Sequence, residues 1–166
     1  VLSTITPSGF SVAVKQMADI GIGVAIYWPL DVGWCVRRAL ATLRPRLLLL
    51  VESELWPTAI RLTKARGVPI AVVNGRISSR AFRRYRLVAP WSRPLVASVD
   101  CCLMQTSQDA ERVIRLGAPP RAVQVVGSLK WDASIGARPS PQALQELAGR
   151  LGLDGRQRVI VAGSTH

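Results

Sequence analysis

Residues 47–57 read LLLLVESELWP, and this stretch indicates how the chain folds. The aliphatic run from Leu47 to Val51 stops abruptly at Glu52, and Pro57 follows where the first turn of a helix tolerates a proline. A short apolar run without alternation is typical of a parallel strand that is buried on both faces. The stretch therefore predicts a buried strand, a polar junction with Glu52 and Glu54, and then a helix.

The same succession of short apolar runs and longer segments of helical period continues along the chain. The predicted strands are residues 1–5, 23–27, 47–51, 69–73, 101–104, 122–126 and 158–162. The predicted helices are residues 10–20, 31–43, 56–65, 80–87, 107–116 and 142–151. Strands that alternate with helices predict an α/β fold with a doubly wound parallel sheet.

A change of composition after Trp131 predicts two domains. Residues 1–132 form the first domain, and residues 133–141, which are rich in proline and small residues, form a linker. Residues 142–166 then begin a second domain of the same Rossmann-like type. Because the chain begins inside one predicted strand and ends just after another, we expect it to be part of a longer protein.

The charge of the chain indicates a polyanionic partner. Lys and Arg number 22 against 10 Asp and Glu, which gives a formal net charge of +12. Nucleic acid, an anionic membrane surface and a phosphorylated substrate all fit this charge. A nucleic-acid-binding α/β domain is one interpretation, but the sequence has no RNP, KH or zinc-finger signature.

The basic residues concentrate in one segment that has no acid between Glu54 and Asp100. Six of its arginines follow one another closely, and they are Arg76, Arg80, Arg83, Arg84, Arg86 and Arg93. They form either a solvated basic helix or a surface that docks against phosphates.

Cysteine and histidine usage predicts neither a metal site nor a cofactor. The three cysteines include no C-x-x-C pair, and the single histidine is His166. We interpret Cys35, Cys101 and Cys102 as reduced core thiols of a cytosolic protein. The longest aliphatic run is far shorter than the roughly 20 residues of a membrane span.

Polar residues follow every predicted strand. Because the carboxyl ends of parallel strands meet at one edge of a sheet, these residues are expected to form a polar surface for a hydroxylated, anionic ligand. The candidate binding residues are Thr6, Ser8, Gly9, Asp31, Glu52, Glu54, Asn74, Arg76, Ser78, Lys130, Ser164, Thr165 and His166.

Some of these residues also have simpler interpretations. Glu52 leaves an aliphatic run, where ionisation requires a nearby cation such as Lys130 or Arg76, but it could equally cap the following helix. Asp31 is a plausible N-cap for its own helix. Lys130 could pair with Asp132 at the surface.

The junctions resemble those of the 3-deoxy-D-manno-octulosonic acid (Kdo) transferases. That family has T-P-[TS]-G, Y-x-P-x-D, E-x-E-x-W-P, N-[AG]-R-[LI]-S, Q-[ST]-x-x-D-x-x-R-x-x-x-L-G, G-[NS]-L-K-[FYW]-D and G-S-T-H. Here the motifs occupy residues 6–9, 27–31, 52–57, 74–78, 105–117, 127–132 and 163–166. This chain departs from the family at Thr58, Gly75 and Trp131, where Asn, Ala and Phe or Tyr are usual.

The resemblance implies a two-domain GT-B fold and an inverting, metal-independent transfer of Kdo to the lipid A precursor. The amino-terminal domain would take the acceptor and the carboxy-terminal domain the donor, CMP-Kdo. Glu52 and Lys130 correspond to residues that stabilise the transition state. The family's general base precedes Val1 and its CMP-binding segments follow His166, so we expect these 166 residues alone to be inactive.

The resemblance also implies a function for the basic segment. Arg80, Arg83 and Arg84 could orient a peripheral domain on the anionic cytoplasmic face of the bacterial inner membrane, with any membrane anchor lying upstream. Nucleic acid and metal are not expected as partners. Another GT-B enzyme, a nucleotide-sugar epimerase or an N-acetylglucosaminyltransferase, is the alternative to a Kdo transferase.

Overall fold

Parallel strands joined by helices make up most of the chain. The computed structural model describes residues 1–17, 19, 21–52, 55–131 and 139–153. The chain divides into two compact units, Val1–Ser128 and Leu129–His166, and each is described by itself. In the second unit the helix with defined bounds is α7 (Pro141–Arg150), whose N-cap Ser140 accepts a hydrogen bond from Ala143 N–H.

The described part of the first unit follows the predicted order of strands and helices. Its strands are β1 (Leu2–Thr4), β2 (Ala25–Tyr27), β3 (Leu48–Val51), β4 (Ile70–Gly75), β5 (Cys101–Met104) and β6 (Val123–Val125). Its helices are α1 (Pro7–Gln16), α2 (Gly33–Leu43), α3 (Pro57–Lys64), α4 (Ser79–Leu87), α5 (Ala89–Ala97) and α6 (Ser107–Arg115). The predicted strand at residues 158–162 lies outside the described residues.

All described strand pairs are parallel, which confirms the predicted α/β class. The strands form two sheets, a two-stranded sheet β1–β2 and a four-stranded sheet β3–β4–β5–β6. From the sequence we expected one continuous sheet. The described strands depart from this because β1 and β3 are not hydrogen-bonded to each other.

The main core lies around the two central strands of the larger sheet. Ile70 of β4 and Met104 of β5 are almost completely buried against Ile60 of α3 and Leu116. The expectation of strands buried on both faces is correct for β4 and β5. It is wrong for β3, where Leu49 is 54% exposed, because β3 is an edge strand of its sheet.

Helix α5 was not predicted from the sequence. Pro90 and Pro94 fall within its nine residues, and prolines normally argue against a helix. Pro90 lies in the first turn, where its missing N–H costs nothing, and Val96 is buried in the core. The Ser92 hydroxyl donates to Tyr85 C=O at 2.9 Å and so fastens α5 to α4.

The cysteines are free thiols, as predicted. Cys102 is buried in β5, whereas Cys35 and Cys101 are partly exposed. Burial, with a smaller contribution from Cys101, raises the pKa of the Cys102 thiol to about 11. Cys102 is therefore a protonated, apolar core residue at neutral pH.

Gly75, at the end of β4, fits closely against β5. A Cβ atom at this position would lie 2.6 Å from Met104 Sδ and 3.2 Å from the Leu103 carbonyl oxygen. The buried Met104 side chain thus fills the space that an alanine would need. This contact gives a physical reason for glycine where the Kdo transferases usually have alanine.

We expect Gly75→Ala to lower the free energy of unfolding by about 1–3 kcal/mol, because the added methyl group overpacks the core. Gly23→Ala is the matched control, since a Cβ there meets nothing within 4 Å. Met104→Val should relieve part of the cost in the Gly75→Ala background. Denaturant titration measures all three variants, and equal losses for the two glycine substitutions would contradict the overpacking.

Candidate functional site

Polar residues meet at the carboxyl ends of β3 and β4. Val51 pairs with Val73, so Glu52, the first residue after β3, lies beside Asn74, a buried residue near the end of β4. The Glu52 N–H continues the ladder by donating to the Val73 carbonyl at 3.0 Å. The parallel register therefore fixes Glu52 and Asn74 as neighbours at this edge.

Both residues have left-handed backbone conformations, Glu52 with φ 60° and Asn74 with φ 53°. Asparagine adopts this region with little strain, but glutamate rarely does. Such conformations persist only where the surrounding structure fixes them, and they cluster at ligand-binding and catalytic sites. The strained backbone at Glu52 therefore distinguishes this edge as a functional candidate.

The Glu52 side chain is exposed. Within the described residues its carboxylate forms no side-chain hydrogen bond and no ion pair within 4.0 Å, so the expected pairing with Arg76 is not formed. It does not cap α3 either, because the N-cap position is Trp56 and carries no side-chain cap. Among the described residues, Glu52 therefore neither pairs with Arg76 nor caps α3.

Asp31 caps α3 from a distance. Its carboxylate oxygens accept hydrogen bonds from Thr58 N–H at 3.0 Å and Ala59 N–H at 2.8 Å. The expectation that Asp31 caps its own helix is wrong, because α2 begins at Gly33 and has no side-chain cap. Trp56 offers no acceptor for the first turn of α3, and Asp31 supplies one. A role of Asp31 in ligand binding stays a prediction.

Two residues of α6 hold the loop after β4, residues 76–78, in place. Asp109 Oδ1 accepts a hydrogen bond from Ile77 N–H at 2.8 Å, and Arg112 Nη1 donates to Ile77 C=O at 2.6 Å. Both backbone groups of Ile77 are therefore bound by charged side chains. Gln105, which follows β5, also donates from Nε2 to the Asn74 carbonyl at 3.0 Å, so this bond ties the end of β4 to the end of β5.

The Asp109 carboxylate is buried and compensated locally. Asp109 is 6% exposed. Thr106 Oγ1 donates a hydrogen bond to its carboxylate, and Arg112 Nη1 lies 4.0 Å from Asp109 Oδ1. A buried charge needs such partners to be tolerated. The sequence analysis included Asp109 and Arg112 only as members of the motif at residues 105–117. The spacing of three between Asp109 and Arg112, which puts them on one helix face, was the available signal.

The last residue of this loop, Ser78, and the residue that precedes α1, Thr6, act as helix caps. Ser78 Oγ accepts from Ala81 N–H at 3.1 Å at the start of α4, and Arg76 is exposed. Thr6 Oγ1 accepts from Gly9 N–H at 3.1 Å, so α1 begins at Pro7 and not at the predicted residue 10. Ser8 is exposed in the first turn of α1.

The remaining predicted residues fall elsewhere. Glu54, Ser164, Thr165 and His166 lie outside the described residues. Lys130 belongs to the second unit, and its expected pairing with Glu52 or Asp132 stays a prediction. In the described ranges, no group of three His, Cys, Asp or Glu residues is arranged to hold a metal ion.

Helix α4 carries the basic segment and contributes no buried residue. Arg80, Arg83 and Arg84 are exposed on it. Two large apolar side chains follow closely, Leu87 at 84% exposure and Trp91 at 83%. Cationic and apolar groups thus occupy the same α4–α5 segment.

We expect Asp109→Asn to lower the free energy of unfolding by about 2–3 kcal/mol, because it leaves Arg112 without its carboxylate and weakens the bond to Ile77. The Ile77 amide should then exchange faster in hydrogen-exchange measurements. Glu111→Gln on the same helix is the control, since Glu111 is exposed and, among the described residues, forms an ion pair with the exposed Arg115 alone. Unchanged exchange at Ile77 in Asp109→Asn would contradict this positioning role.

Comparison with known proteins identifies relatives of the chain. A family model described as 3-deoxy-D-manno-octulosonic-acid transferase (kdotransferase) matches residues 1–133. A bifunctional glycosyltransferase/methyltransferase of Fusobacterium nucleatum is 34% identical over 165 residues, which are 99% of this chain and 26% of that protein. The 3-deoxy-D-manno-octulosonic acid transferase of Haemophilus influenzae is 28% identical over 166 residues, 99% of this chain and 37% of that protein.

A further relative matches a shorter stretch. The 3-deoxy-D-manno-octulosonic acid transferase of Bordetella pertussis is 37% identical over 107 residues, 64% of this chain and 24% of that protein. The chain therefore spans between 24% and 37% of the length of these three relatives.

A solved structure shares the fold. A protein of Listeria monocytogenes described as a UDP-N-acetylglucosamine 2-epimerase superposes with a TM-score of 0.54 over 87% of this chain and 49% of its own. The sequence identity is 12%, so this likeness concerns the fold alone. It confirms the predicted α/β fold of GT-B type.

The family model covers most of the chain, and it includes the junctions at Thr6–Gly9, Glu52 and Asn74–Ser78 whose geometry is described above. The resemblance recognised from the sequence motifs is therefore confirmed. This chain belongs to the 3-deoxy-D-manno-octulosonic acid transferase family of glycosyltransferases.

Proposed function

We propose that the full-length protein transfers Kdo from CMP-Kdo to the lipid A precursor, lipid IVA, in lipopolysaccharide biosynthesis. The transfer inverts the anomeric centre and needs no metal ion. Family membership supports a glycosyltransferase, and the choice of donor and acceptor is our inference. The single observation that best supports a reactive site here is Glu52, an exposed carboxylate on strained backbone at the end of β3.

The reaction requires charge to be stabilised at two places. An acceptor hydroxyl oxygen bonds to the anomeric carbon of Kdo, while the bond from that carbon to the phosphate oxygen of CMP breaks. The hydroxyl proton passes to a carboxylate base, which the resemblance assigns to a segment before Val1. Positive charge develops on the sugar and negative charge on the departing phosphate.

Glu52 and Lys130 have charges suited to these two demands. The Glu52 carboxylate faces the developing positive charge of the sugar, and the Lys130 ammonium group faces the departing phosphate. Groups held in place before the reaction stabilise such charges without reorganising during it. The left-handed backbone at Glu52, which such sites often retain, supports a functional role for this position.

The other predicted binding residues contact hydroxyl, carboxylate or phosphate groups of the substrates. The acceptor side includes Arg76 and Ser78, which are exposed on the loop that Asp109 and Arg112 hold, and Asn74, which is buried near the end of β4. The remaining acceptor-side residues are Thr6, Ser8, Gly9, Asp31 and Glu54. Donor contacts are assigned to Ser164, Thr165 and His166.

We expect Glu52→Gln in the full-length protein to lower kcat for Kdo transfer by about 10²–10³-fold, as loss of one preorganised charge commonly does. Stability should change by less than about 0.5 kcal/mol, because the side chain is exposed. The assay is radiolabelled transfer from CMP-Kdo to tetraacylated lipid A precursor, with Lys130→Ala in parallel. Glu111→Gln, which removes an exposed carboxylate in the middle of α6, is the control.

Two outcomes would contradict the proposed chemistry. Full activity in both Glu52→Gln and Lys130→Ala would remove their roles while leaving the reaction intact. No transfer by the unaltered full-length protein with these substrates, together with transfer from another nucleotide sugar, would overturn the donor assignment.

We also propose that the α4–α5 segment docks the protein peripherally on the anionic cytoplasmic face of the inner membrane. Arg80, Arg83 and Arg84 would contact lipid phosphates, and the exposed Leu87 and Trp91 would enter the interface. Among the described helices, none is both long and apolar enough to cross a bilayer.

Replacing Arg80, Arg83 and Arg84 together with Ala should weaken binding to anionic vesicles by roughly 10²-fold, at about 1 kcal/mol per arginine. The control replaces three exposed arginines elsewhere, Arg38, Arg61 and Arg121, and removes the same charge. Vesicle cosedimentation at low and high salt measures the difference. Equal losses in the two triple variants, or binding unaffected by salt, would count against a specific docking surface.

A further inference from the structure

Exposed apolar side chains lie at the carboxyl edge of the smaller sheet, in the connection between β2 and α2. Leu30 is 73% exposed, Trp34 is 65% exposed, and Val32 between them is also exposed. Single apolar residues are common at a protein surface, but three within five positions concentrate apolar area in one place, and such areas mark binding surfaces. Neither the proposed catalysis nor the proposed membrane docking involves these three residues.

Two contacts hold this connection against the segment that follows β3. The Trp28 ring packs against the core, and its centroid lies 5.7 Å from that of the Trp56 ring. The Asp31 carboxylate accepts hydrogen bonds from two amides in the first turn of α3. The apolar side chains are therefore exposed on an anchored loop that lies next to the start of α3.

A cation accompanies the apolar residues. Arg37 lies one turn after Trp34 on the exposed face of α2, where side chains lean towards the start of the helix. A Cβ atom on Gly33 would lie 3.4 Å from Arg37 Nη2, so the guanidinium lies over this glycine. Among the described residues it forms no ion pair. The cation and the apolar side chains therefore share the same edge.

A ligand that fits this surface combines hydrocarbon with a negatively charged group. The lipid A precursor of the proposed reaction has both, since its sugars carry acyl chains and phosphates. Its reacting hydroxyl must lie at the carboxyl edge, where Glu52 follows β3, and its acyl chains are attached to the same molecule. The chains therefore leave the site from this edge and need apolar surface beside it.

We infer that Leu30, Val32 and Trp34 contact the acyl chains of the acceptor and that Arg37 contacts one of its phosphates. These four residues are the acceptor surface. They determine which acylated acceptors the enzyme uses, and they act by binding, not by chemistry. The inference rests on the proposed function, because it takes the acceptor to be a phosphorylated lipid.

The acceptor surface is separate from the α4–α5 segment. Helix α4 begins at Ser79, close to the sheet edge, and its nine residues span about 13 Å, so Leu87 lies away from that edge. Leu30 is instead adjacent to Asp31, whose bonds to α3 keep it at the edge. The α4–α5 segment therefore suits the bilayer, whereas the acceptor surface suits the single lipid that reacts.

Kinetics with two acceptors test the acyl contact in the full-length protein. The acceptors are the tetraacylated lipid A precursor in detergent and the same bisphosphorylated disaccharide without acyl chains, followed as a substrate or as a competitive inhibitor. The double variant Leu30→Ser/Trp34→Ser should raise KM for the tetraacylated acceptor by about tenfold or more, because it removes apolar area that binding buries. The affinity for the deacylated acceptor should stay unchanged.

Arg37→Gln should instead weaken the binding of both acceptors severalfold, since both retain the phosphates. The matched controls are Val125→Ser, an exposed apolar residue of β6, and Arg38→Gln, the neighbouring exposed arginine, and neither should change KM. Equal losses for Arg37→Gln and Arg38→Gln would overturn the phosphate contact.

Two kinetic outcomes separate this inference from the proposed function. An unchanged KM for the tetraacylated acceptor in the double variant, or an equal rise for both acceptors, would overturn the acyl contact while the transfer reaction stands. No transfer to the tetraacylated acceptor by the unaltered protein would remove the proposed function, and the acceptor surface with it.

A photoreactive acceptor gives a readout that needs no substitution. With a diazirine near the end of one acyl chain, the lipid A precursor should label residues 27–37 of the full-length protein, as read by peptide mass spectrometry. Excess unmodified precursor should suppress that label. Labelling confined to residues 87–91 would place the chains in the bilayer interface and refute the acceptor surface. A label at residues 27–37 that excess precursor leaves unchanged would refute it as well.

Discussion

The parallel hydrogen-bond ladder from β3 to β6 decides where polar chemistry can occur in this molecule. Because all four strands run in the same direction, each one ends at the same edge, and the residue after each strand faces its neighbours. Glu52 and Asn74 are adjacent only because Val51 pairs with Val73. A shift of one residue in that register would separate them and reverse every side chain of β3.

The edge that results combines a rigid loop with a strained residue. Asp109 and Arg112 bind both backbone groups of Ile77, so the loop after β4 has little freedom to rearrange. Asp31 similarly fixes the start of α3 just beyond the strained Glu52. The carboxylates that serve structure are therefore Asp31 and Asp109, which leaves Glu52 as the exposed carboxylate of this described edge.

Local patterns in the sequence predicted the elements but not the contacts between distant ones. Apolar runs revealed β4 and β5, because burial of a parallel strand demands them. The capping of α3 by Asp31 could not be predicted, since the partners lie 27 and 28 residues apart and a cap is normally sought in adjacent residues. Helix α5 was hidden by Pro90 and Pro94, whose usual effect is overridden by tertiary packing of Val96. The division into two sheets was also invisible, because hydrophobic patterning says that a strand is buried but not which strand lies beside it.

The left-handed backbone at Glu52 has a consequence for engineering. Glycine adopts that conformation freely, whereas an L-residue with a long side chain pays roughly 1 kcal/mol or more to remain there. Selection for thermal stability alone would therefore favour glycine at position 52. The substitution would relieve the backbone strain, but it would also remove the exposed carboxylate. A library built for robustness should hold position 52 fixed and seek its improvements away from the sheet edge.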